Sequence, residues 1–542
     1  MKEIVTDSCS FEDLITAGDI IYVDKTAYVA RMVMSRSRFF FISRPRRFGK
    51  SLMCSTLDAL FSGREELFKD LYIAKSGYDF KSYPVLRFDF SQLNTDSVDS
   101  FRQDFIDQIS ENADRNRISL SEAMPSSMMR KLLLGLEKPV IIIDEFDSPI
   151  IDAVSRDKTE LAERMRDDFN AFYKVIKSFT GKVRFLFITG CTKLSGLSIF
   201  SAMNNLNDIS TDPRYAGMFG YTEDELEESF SEHIDQKLGM PGSPYRSRAK
   251  FLGALKGYYD GYRFSPYDEA MVYNPVSIGS YFSGQVIPFR NFWAYTGGLS
   301  TLAVTLARHN NLLSVVEEKP ELNIQDLSVF DIMTLSADGM QRPSALALLY
   351  YAGYLTIAGV DSPDLLLDFP NEEVRGTFLS SLIRTYGSYD RNPASIANSA
   401  CKAVNRGDVE LLISTLNELY KPLTPMDLRG NKESLIQLLF KALFVIAGVK
   451  VMTEVYAGKG RLDALVMAKG HNYIIEFKVD GKTAESAVEQ IIKKHYDWLF
   501  TGDDTPLHLI GIDFRTEERQ IVSYTHQIYG SGKTESKALE LS

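Results

Sequence analysis

"FFFISRPRRFGKSLMCSTL", residues 39–57, runs from a short apolar stretch through a basic loop into Gly49-Lys50-Ser51 at the head of an apolar-periodic segment. A loop of the form G-x-x-x-x-G-K-[ST] between a strand and a helix holds phosphates on its backbone N–H groups and on the helix N-terminus. Its lysine reaches the terminal phosphates and its hydroxyl serves magnesium. Lys50 and Ser51 fit those positions and Gly49 precedes them, but Arg44 stands where the first glycine belongs. Taken alone the motif is degenerate. Its placement, with "FFFIS" reading as a buried strand and "SLMCSTLDALF" as a helix, is the placement the chemistry requires.

A second element lies about ninety residues on. "VIIIDEFD", 140–147, is a run of branched apolar residues ending in Asp144-Glu145. Such a strand end sets one carboxylate near a magnesium ion and a second where it polarises an attacking water. "FLFITG", 185–190, supplies a further strand ending in Thr189, placed either as a sensor of the terminal phosphate or as a loop cap. With "PVLRFDFS", these strands alternate with helical patterns such as "ELAERMRDDFNAFYKVIKSF". That succession predicts an α/β domain with a parallel sheet within residues 1–205.

Beyond residue 205 the strand signal fades. Thr222 followed by Glu225 predicts a capping box. The region 206–420 reads as mixed and largely helical, a lid or adaptor, with strand content at "YLTIAG" and "LLLDFP". Pro422, Pro425 and Gly430 then punctuate the chain. A last domain, 421–530, follows in the order αβββαβ, with a tail at 531–542.

In that domain "GRLDALVMAKGHNYIIEFKVD" places Asp463 on one strand and Glu476 and Lys478 on the next. Residues 476 and 478 share a face because side chains alternate with period two, and a tight hairpin sets Asp463 beside them. Two carboxylates and a lysine on one face suit magnesium and a water directed at a phosphodiester. A solvated Glu–Lys pair is the plain alternative. Against it, both charges interrupt the apolar strand "YIIEFKV", where unpaired charge is costly.

Composition limits the rest. The 542 residues carry a net charge of −11, with 44% hydrophobic and 25% charged residues. This is the balance of an ordinary multidomain globular chain and excludes a uniformly basic coat. Between Lys459 and Tyr496, however, seven Lys/Arg face five Asp/Glu, a locally basic stretch. Cys9, Cys54, Cys191 and Cys401 form no C-x-x-C pair, which predicts neither a disulfide framework nor a zinc site and suits a reducing cytoplasm. The N-terminus lacks a signal-peptide h-region, and "SALALLYYAGYLTIAGV" reads as buried core, so no membrane segment is expected. The six histidines show no ligand spacing, and His471 and His495 read as surface or packing residues.

"YVDKTAYVARMV", "FISRPRRFGKSL", "IIIDEFDSPI", "ITGCTKLSGLSIFSAMNNLNDIS", "YYDGYRFSPYDEAMVYNP" and "GYLTI…FPNEEVR" together resemble the bacterial AAA-ATPase-like family whose members end in a PD-(D/E)XK nuclease-superfamily domain. The resemblance covers nearly the whole chain, and in that family the arginine-bearing "RPRRFGKS" loop is the usual form. It implies a P-loop domain, a largely helical middle and a restriction-endonuclease-like domain. It assigns Gly49, Lys50 and Ser51 to phosphate and magnesium, Asp144 and Glu145 to the Walker B position, and Thr189 to the sensor. Arg46 and Arg47 either supply charge to phosphates or form a surface basic cluster. Arg214 is a guess at an arginine finger. In the last domain Asp463, Glu476 and Lys478 match the nuclease constellation with Leu462 in place of the proline, while Gln490, Tyr496 and Glu433 resemble accessory positions.

The implied cofactors are ATP and Mg2+. The implied partner is nucleic acid, DNA ahead of RNA, and a homo-oligomer is left open. The expected function is ATP binding, with hydrolysis, controlling a magnesium-dependent nuclease-like domain. The alternative is a nucleotide-gated regulatory or interaction protein whose nuclease fold binds without cutting.

Overall fold

Every residue of Phe39–Ser43 is buried, as are those of Val140–Asp144 and Phe185–Gly190. Continuous apolar runs of this kind pair in parallel with both faces covered. In the computed structural model these are strands β1, β3 and β4. With β2 (Val85–Asp89) and β5 (Asn207–Asp208) they form a parallel sheet in the order β2-β3-β4-β1-β5. The helix Lys50–Phe61 follows β1, and Ser148–Ser155 and Thr159–Ser178 follow β3. The structure describes the chain except residues 7–9, 194–204, 286, 294–299, 301–302, 305–318, 329–341, 430–431, 458–459, 482, 497–504, 530–533 and 540–542. Several sequence expectations therefore fall wholly or partly outside the described residues: Cys9, the middle of "ITGCTKLSGLSIFSAMNNLNDIS", Gly430, Lys459 and much of the tail.

The strand order decides where the site lies. β4 sits between β1 and β3, so the end carrying Thr189 falls between the end of β1, where the basic loop begins, and Asp144. Ligands of parallel α/β sheets bind at these carboxyl ends.

The chain divides into two compact units, Met1–Val374 and Arg375–Ser542. The span 206–420, read from sequence as one region, is split between them. Within the first unit the Thr222 side chain accepts from Glu225 N, and Glu225 Oε2 accepts from Thr222 N at 2.8 Å, the capping box the sequence predicts. The helices Glu223–Ser229, Ser231–Gly239, Arg248–Tyr259 and Pro275–Ser283 pack around Phe230, Phe251, Leu255, Tyr259 and Tyr281. A small antiparallel sheet of β6 (Glu321–Asn323), β7 (Thr356–Asp361) and β8 (Asp364–Asp368) completes the unit.

The second unit is built on β9 (Lys450–Ala457), β10 (Gly460–Ala468), β11 (His471–Val479), β12 (Leu507–Arg515), β13 (Gln520–Ile528) and β14 (Thr534–Ala538), hydrogen-bonded in reverse numerical order. β11 and β12 are parallel, and the helix Ala484–Lys493 lies between them in the chain; the other neighbours are antiparallel. The αβββαβ order is thus followed by two further strands, and β14 falls where the sequence reads as a tail. No helix among the described residues is long and apolar enough to cross a membrane.

Candidate functional site

The basic loop is anchored at its start by Arg44 N, which donates to Gly190 O at 3.0 Å and so ties the end of β1 to the end of β4. It closes at Gly49, whose φ of +94° lies in the left-handed region. A Cβ there would meet nothing within 4 Å, so glycine is needed for torsion and not for room. Lys50 opens the helix and is 3% exposed. Its Nζ donates to Arg44 O at 3.0 Å and Pro45 O at 3.1 Å, and lies 3.1 Å from Glu145 Oε1 and 3.7 Å from Cys191 Sγ. The loop therefore curls around its own lysine, with the Glu145 carboxylate beside it.

β3 delivers the acidic pair. Asp144 is buried; Thr189 Oγ1 donates to its Oδ1 at 2.8 Å, and the Ser51 hydroxyl hydrogen-bonds the same carboxylate. Burial, with the charge of Glu145 second, pushes the Asp144 carboxyl up. Burial also acts upward on Glu145, but Lys50 and Arg46 overcome it and hold that carboxyl below its usual value. Glu145 has a φ of +50°, a strained conformation for a non-glycine residue of the kind found where geometry is over-determined.

Asp147 is a residue sequence reasoning missed. Fully buried, it accepts from Cys191 N at 3.1 Å and from Thr192 N and Thr192 Oγ1 at 2.6 Å, so it fixes the chain leaving β4. The packing leaves no room for a side chain at Gly190, where a Cβ would meet Phe146 at 2.5 Å and Asp147 Oδ1 at 2.6 Å. The only sequence signal was a third acidic residue in "DEFD".

The arginines separate. Arg44 is 1% exposed and points away from the lysine: its Nη1 donates to Ser43 O and Ser210 O, both at 2.8 Å, and its guanidinium lies 4.2 Å from the Phe264 ring centroid. It is a buried strut, and burial brings its pKa down to about 10. Arg46 and Arg47 line a 580 Å³ cavity with Ser51, Asn94, Glu145, Ser148 and Arg156. Arg47, Gly49, Lys50, Ser51 and Glu145 also border a 330 Å³ cavity whose far wall is largely apolar, with Val5, Ile21, Tyr22, Phe219 and Tyr221. Arg214 borders neither and is paired with Asp212 at 2.6 Å.

In the second unit Ala464 pairs with Ile475 across β10 and β11, so Asp463 stands opposite Glu476. Asp463 Oδ2 accepts from Phe477 N at 2.7 Å. Lys478 Nζ lies 3.4 Å from Glu476 Oε1 and donates to Gln490 Oε1 at 2.9 Å, while Gln490 Nε2 donates to Glu476 Oε1. All four expected residues are therefore adjacent. Burial first and Glu476 second push the Asp463 carboxyl up to about 7, with Glu433 adding to the rise; burial also raises Glu476. Tyr496 OH donates to Arg461 O at 2.8 Å, and Leu462 is buried in the adjoining core.

His471 is a packing residue, as its sequence reading allows, and it packs against another histidine, His508. His471 Nδ1 and His508 Nε2 are 3.0 Å apart, and His508 Nδ1 and His526 Nε2 are 2.9 Å apart. Three strands carry one each, so sequence spacing could not join them. His508 uses both ring nitrogens within this row, and no group of three or more His, Cys, Asp or Glu among the described residues is placed to hold a metal. His495 follows the helix Ala484–Lys493 by two residues.

The two sites fit the groups expected of them. The two cavities, which share Arg47, Ser51 and Glu145, suit a base on one side and a phosphate chain on the other. Glu476 Oε2 is buried without a hydrogen-bond partner, and beside the raised Asp463 carboxyl it calls for a cation. Two carboxylates leave coordination to phosphate oxygens and water, a hard oxygen set suited to Mg2+.

Comparison with known proteins bears on the two domains. A family model described as "Predicted AAA-ATPase" matches residues 8–200, and one for the PD-(D/E)XK nuclease superfamily matches 431–524. An uncharacterized protein in the vnfD 5′ region of Azotobacter chroococcum mcd 1 is 30% identical over 543 residues, spanning 96% of this chain and 98% of that protein. Domains of these two kinds generally use a nucleotide and a divalent metal. The chain belongs to the AAA-ATPase-like family that carries a C-terminal PD-(D/E)XK nuclease-superfamily domain.

Proposed function

We propose that the chain binds and hydrolyses ATP with Mg2+ at the first site, and that nucleotide state there controls magnesium-dependent phosphodiester cleavage of nucleic acid, DNA ahead of RNA, at the second. The observation carrying this reading is the meeting of an apolar and a polar cavity at Arg47, Ser51 and Glu145, beside buried Lys50. The base occupies the apolar cavity and the phosphates cross Gly49–Ser51 into the polar one.

Ser51 and Asp144 would hold a Mg2+ ion at the first site and Asp463 and Glu476 one at the second, where it would supply charge to offset phosphate and to acidify water. Lys50 exchanges loop carbonyls for phosphate oxygens, which are stronger acceptors. Arg46 and Arg47 add charge on the polar side. Glu145, kept ionised by Lys50 and Arg46, takes the proton of the attacking water. Thr189 orients Asp144. In the second site Lys478 meets the scissile phosphate and Gln490 holds the lysine and Glu476 in register.

Equilibrium titration with a fluorescent ATP analogue tests the first step. Lys50→Ala should weaken binding about a hundredfold, the scale of two charge-assisted hydrogen bonds. Unchanged affinity in that variant would overturn the assignment.

A further inference from the structure

Phe292 is held by both of its backbone polar groups. Arg47 Nη1 donates to Phe292 O at 3.2 Å, and Phe292 N donates to Glu373 Oε1 at 2.5 Å; Trp293 N donates to the same oxygen at 2.8 Å. Glu373 is 1% exposed, and a carboxylate buried so deeply is retained only where its hydrogen bonds and a nearby cation offset the loss of water. Arg47 is such a cation, close enough to lower the carboxyl pKa that burial has pushed up to about 7.

The two ends of this chain of contacts lie in telling places. Arg47 sits in the basic loop with a φ of +67° and borders both cavities, which also share Ser51 and Glu145. Glu373 is the second residue of the helix Glu372–Thr385, whose residues from Arg375 onward belong to the second unit. Asn371 Oδ1 accepts from Val374 N at 3.0 Å, while Asn371 Nδ2 donates to Asp260 O at 2.7 Å, so the start of that helix is tied to the first unit by side-chain bonds that can be broken.

We infer that Arg47, Phe292 and Glu373 form a relay: phosphate in the loop draws Arg47 off the Phe292 carbonyl, which loosens the Phe292–Trp293 end of the segment 287–293 and weakens its hold on Glu373 at the start of the helix leading into the nuclease-like unit. This rests on the nucleotide reading above and supplies its means of control. Phosphate outcompetes a carbonyl because a guanidinium forms paired, charge-assisted bonds with it. The abandoned carbonyl is then unpaired, and Phe292 is left with its N–H bond to Glu373, while Tyr281 OH on Ile287 O, Tyr259 OH on Arg290 and Tyr258 OH on Asn291 still hold the residues before it. Arg47 is a positioning residue in this device, and so is Glu373.

Hydrogen exchange on the full-length protein with and without saturating ATP and Mg2+ tests it. In wild type, nucleotide should slow exchange at 49–53 and speed it at 287–293 and 372–377 by about tenfold, the scale of one charge-assisted bond. In Arg47→Ala, at an ATP concentration shown by titration to saturate the variant, 287–293 should exchange equally fast with and without nucleotide. In Glu373→Ala, which removes the acceptor of the Phe292 and Trp293 amides, 287–293 and 372–377 should both exchange fast with and without nucleotide; Glu373→Gln, which keeps the acceptor oxygen, should restore the wild-type response. Protection at 49–53 with no change at 287–293 and 372–377 in wild type overturns the relay and leaves the nucleotide reading standing. No protection at 49–53 overturns both.

Discussion

Thr189 Oγ1 donates to Asp144 Oδ1 at 2.8 Å, joining the ends of β4 and β3 beside the loop that carries Lys50. The bond sits between two fully buried side chains, so its loss leaves a carboxylate oxygen short of a partner. Thr189→Ala should lower stability of the first unit by about 1–3 kcal/mol and reduce ATP turnover more than ATP affinity. Thr189→Ser, which keeps the hydroxyl, should recover most of both. Denaturant titration and phosphate-release kinetics read the two effects.

Glu145→Gln removes the proton acceptor but keeps the shape. Turnover should fall by about 10²–10⁴, while affinity for ATP holds or rises because Lys50 loses its carboxylate competitor at 3.1 Å. Single-turnover phosphate release beside equilibrium binding checks the split.

Arg44 makes the opposite prediction. Arg44→Lys keeps the charge but cannot reproduce donation to both Ser43 O and Ser210 O or the stacking on Phe264. It should cost about 3 kcal/mol of stability in the first unit. Nucleotide affinity of the folded protein should fall far less than in Lys50→Ala, because the Arg44 side chain faces away from the lysine.

The imidazole row makes the second unit acid-labile. Burial first, and His526 and His471 after it, bring His508 down to about 4 from an ordinary 6.5. The unfolded chain then takes up a proton that the folded chain refuses. This contribution to stability is intact above pH 6.5 and is lost as pH falls toward 4. Asp463, raised to about 7, acts with the opposite sign over much of that range, so the difference between wild type and His508→Phe isolates the histidine. Urea titrations at stepped pH, read by labelling peptides from 471–528 at one fixed pH, should show a shallower acid slope in the variant.

The raised Asp463 carboxyl also predicts how metal binds. Below about pH 7 an ion must displace a proton there, so affinity of the second site for Mn2+ should climb about tenfold per pH unit toward 7 and then level off. Calorimetric titration checks this, and Asp463→Asn should abolish both the affinity and its slope.

β1, β3 and β4 were legible because each is an unbroken apolar run with both faces buried, and the motifs sit at their ends. The pairing of Asp463 with Glu476 and Lys478 followed from strand periodicity and a short hairpin. β5 left no mark, since Asn207 and Asp208 carry no apolar pattern. Nor did β14, whose five residues are all exposed, so no hydrophobic signal separated it from a tail. What Arg44 does depends on Ser210 and Phe264, far along the chain, and Asp147 acts on the end of a strand that follows it by some forty residues. Contacts of that range are set by strand order and cannot be read from spacing.

The most direct measurement is cleavage of labelled DNA and RNA by the full-length protein in Mg2+, with and without ATP, beside Lys50→Ala and Lys478→Ala. The account predicts cleavage by wild type at a rate that changes with ATP, cleavage indifferent to ATP in Lys50→Ala, and none in Lys478→Ala. Wild-type protein that turns over ATP yet leaves every polynucleotide intact would contradict it.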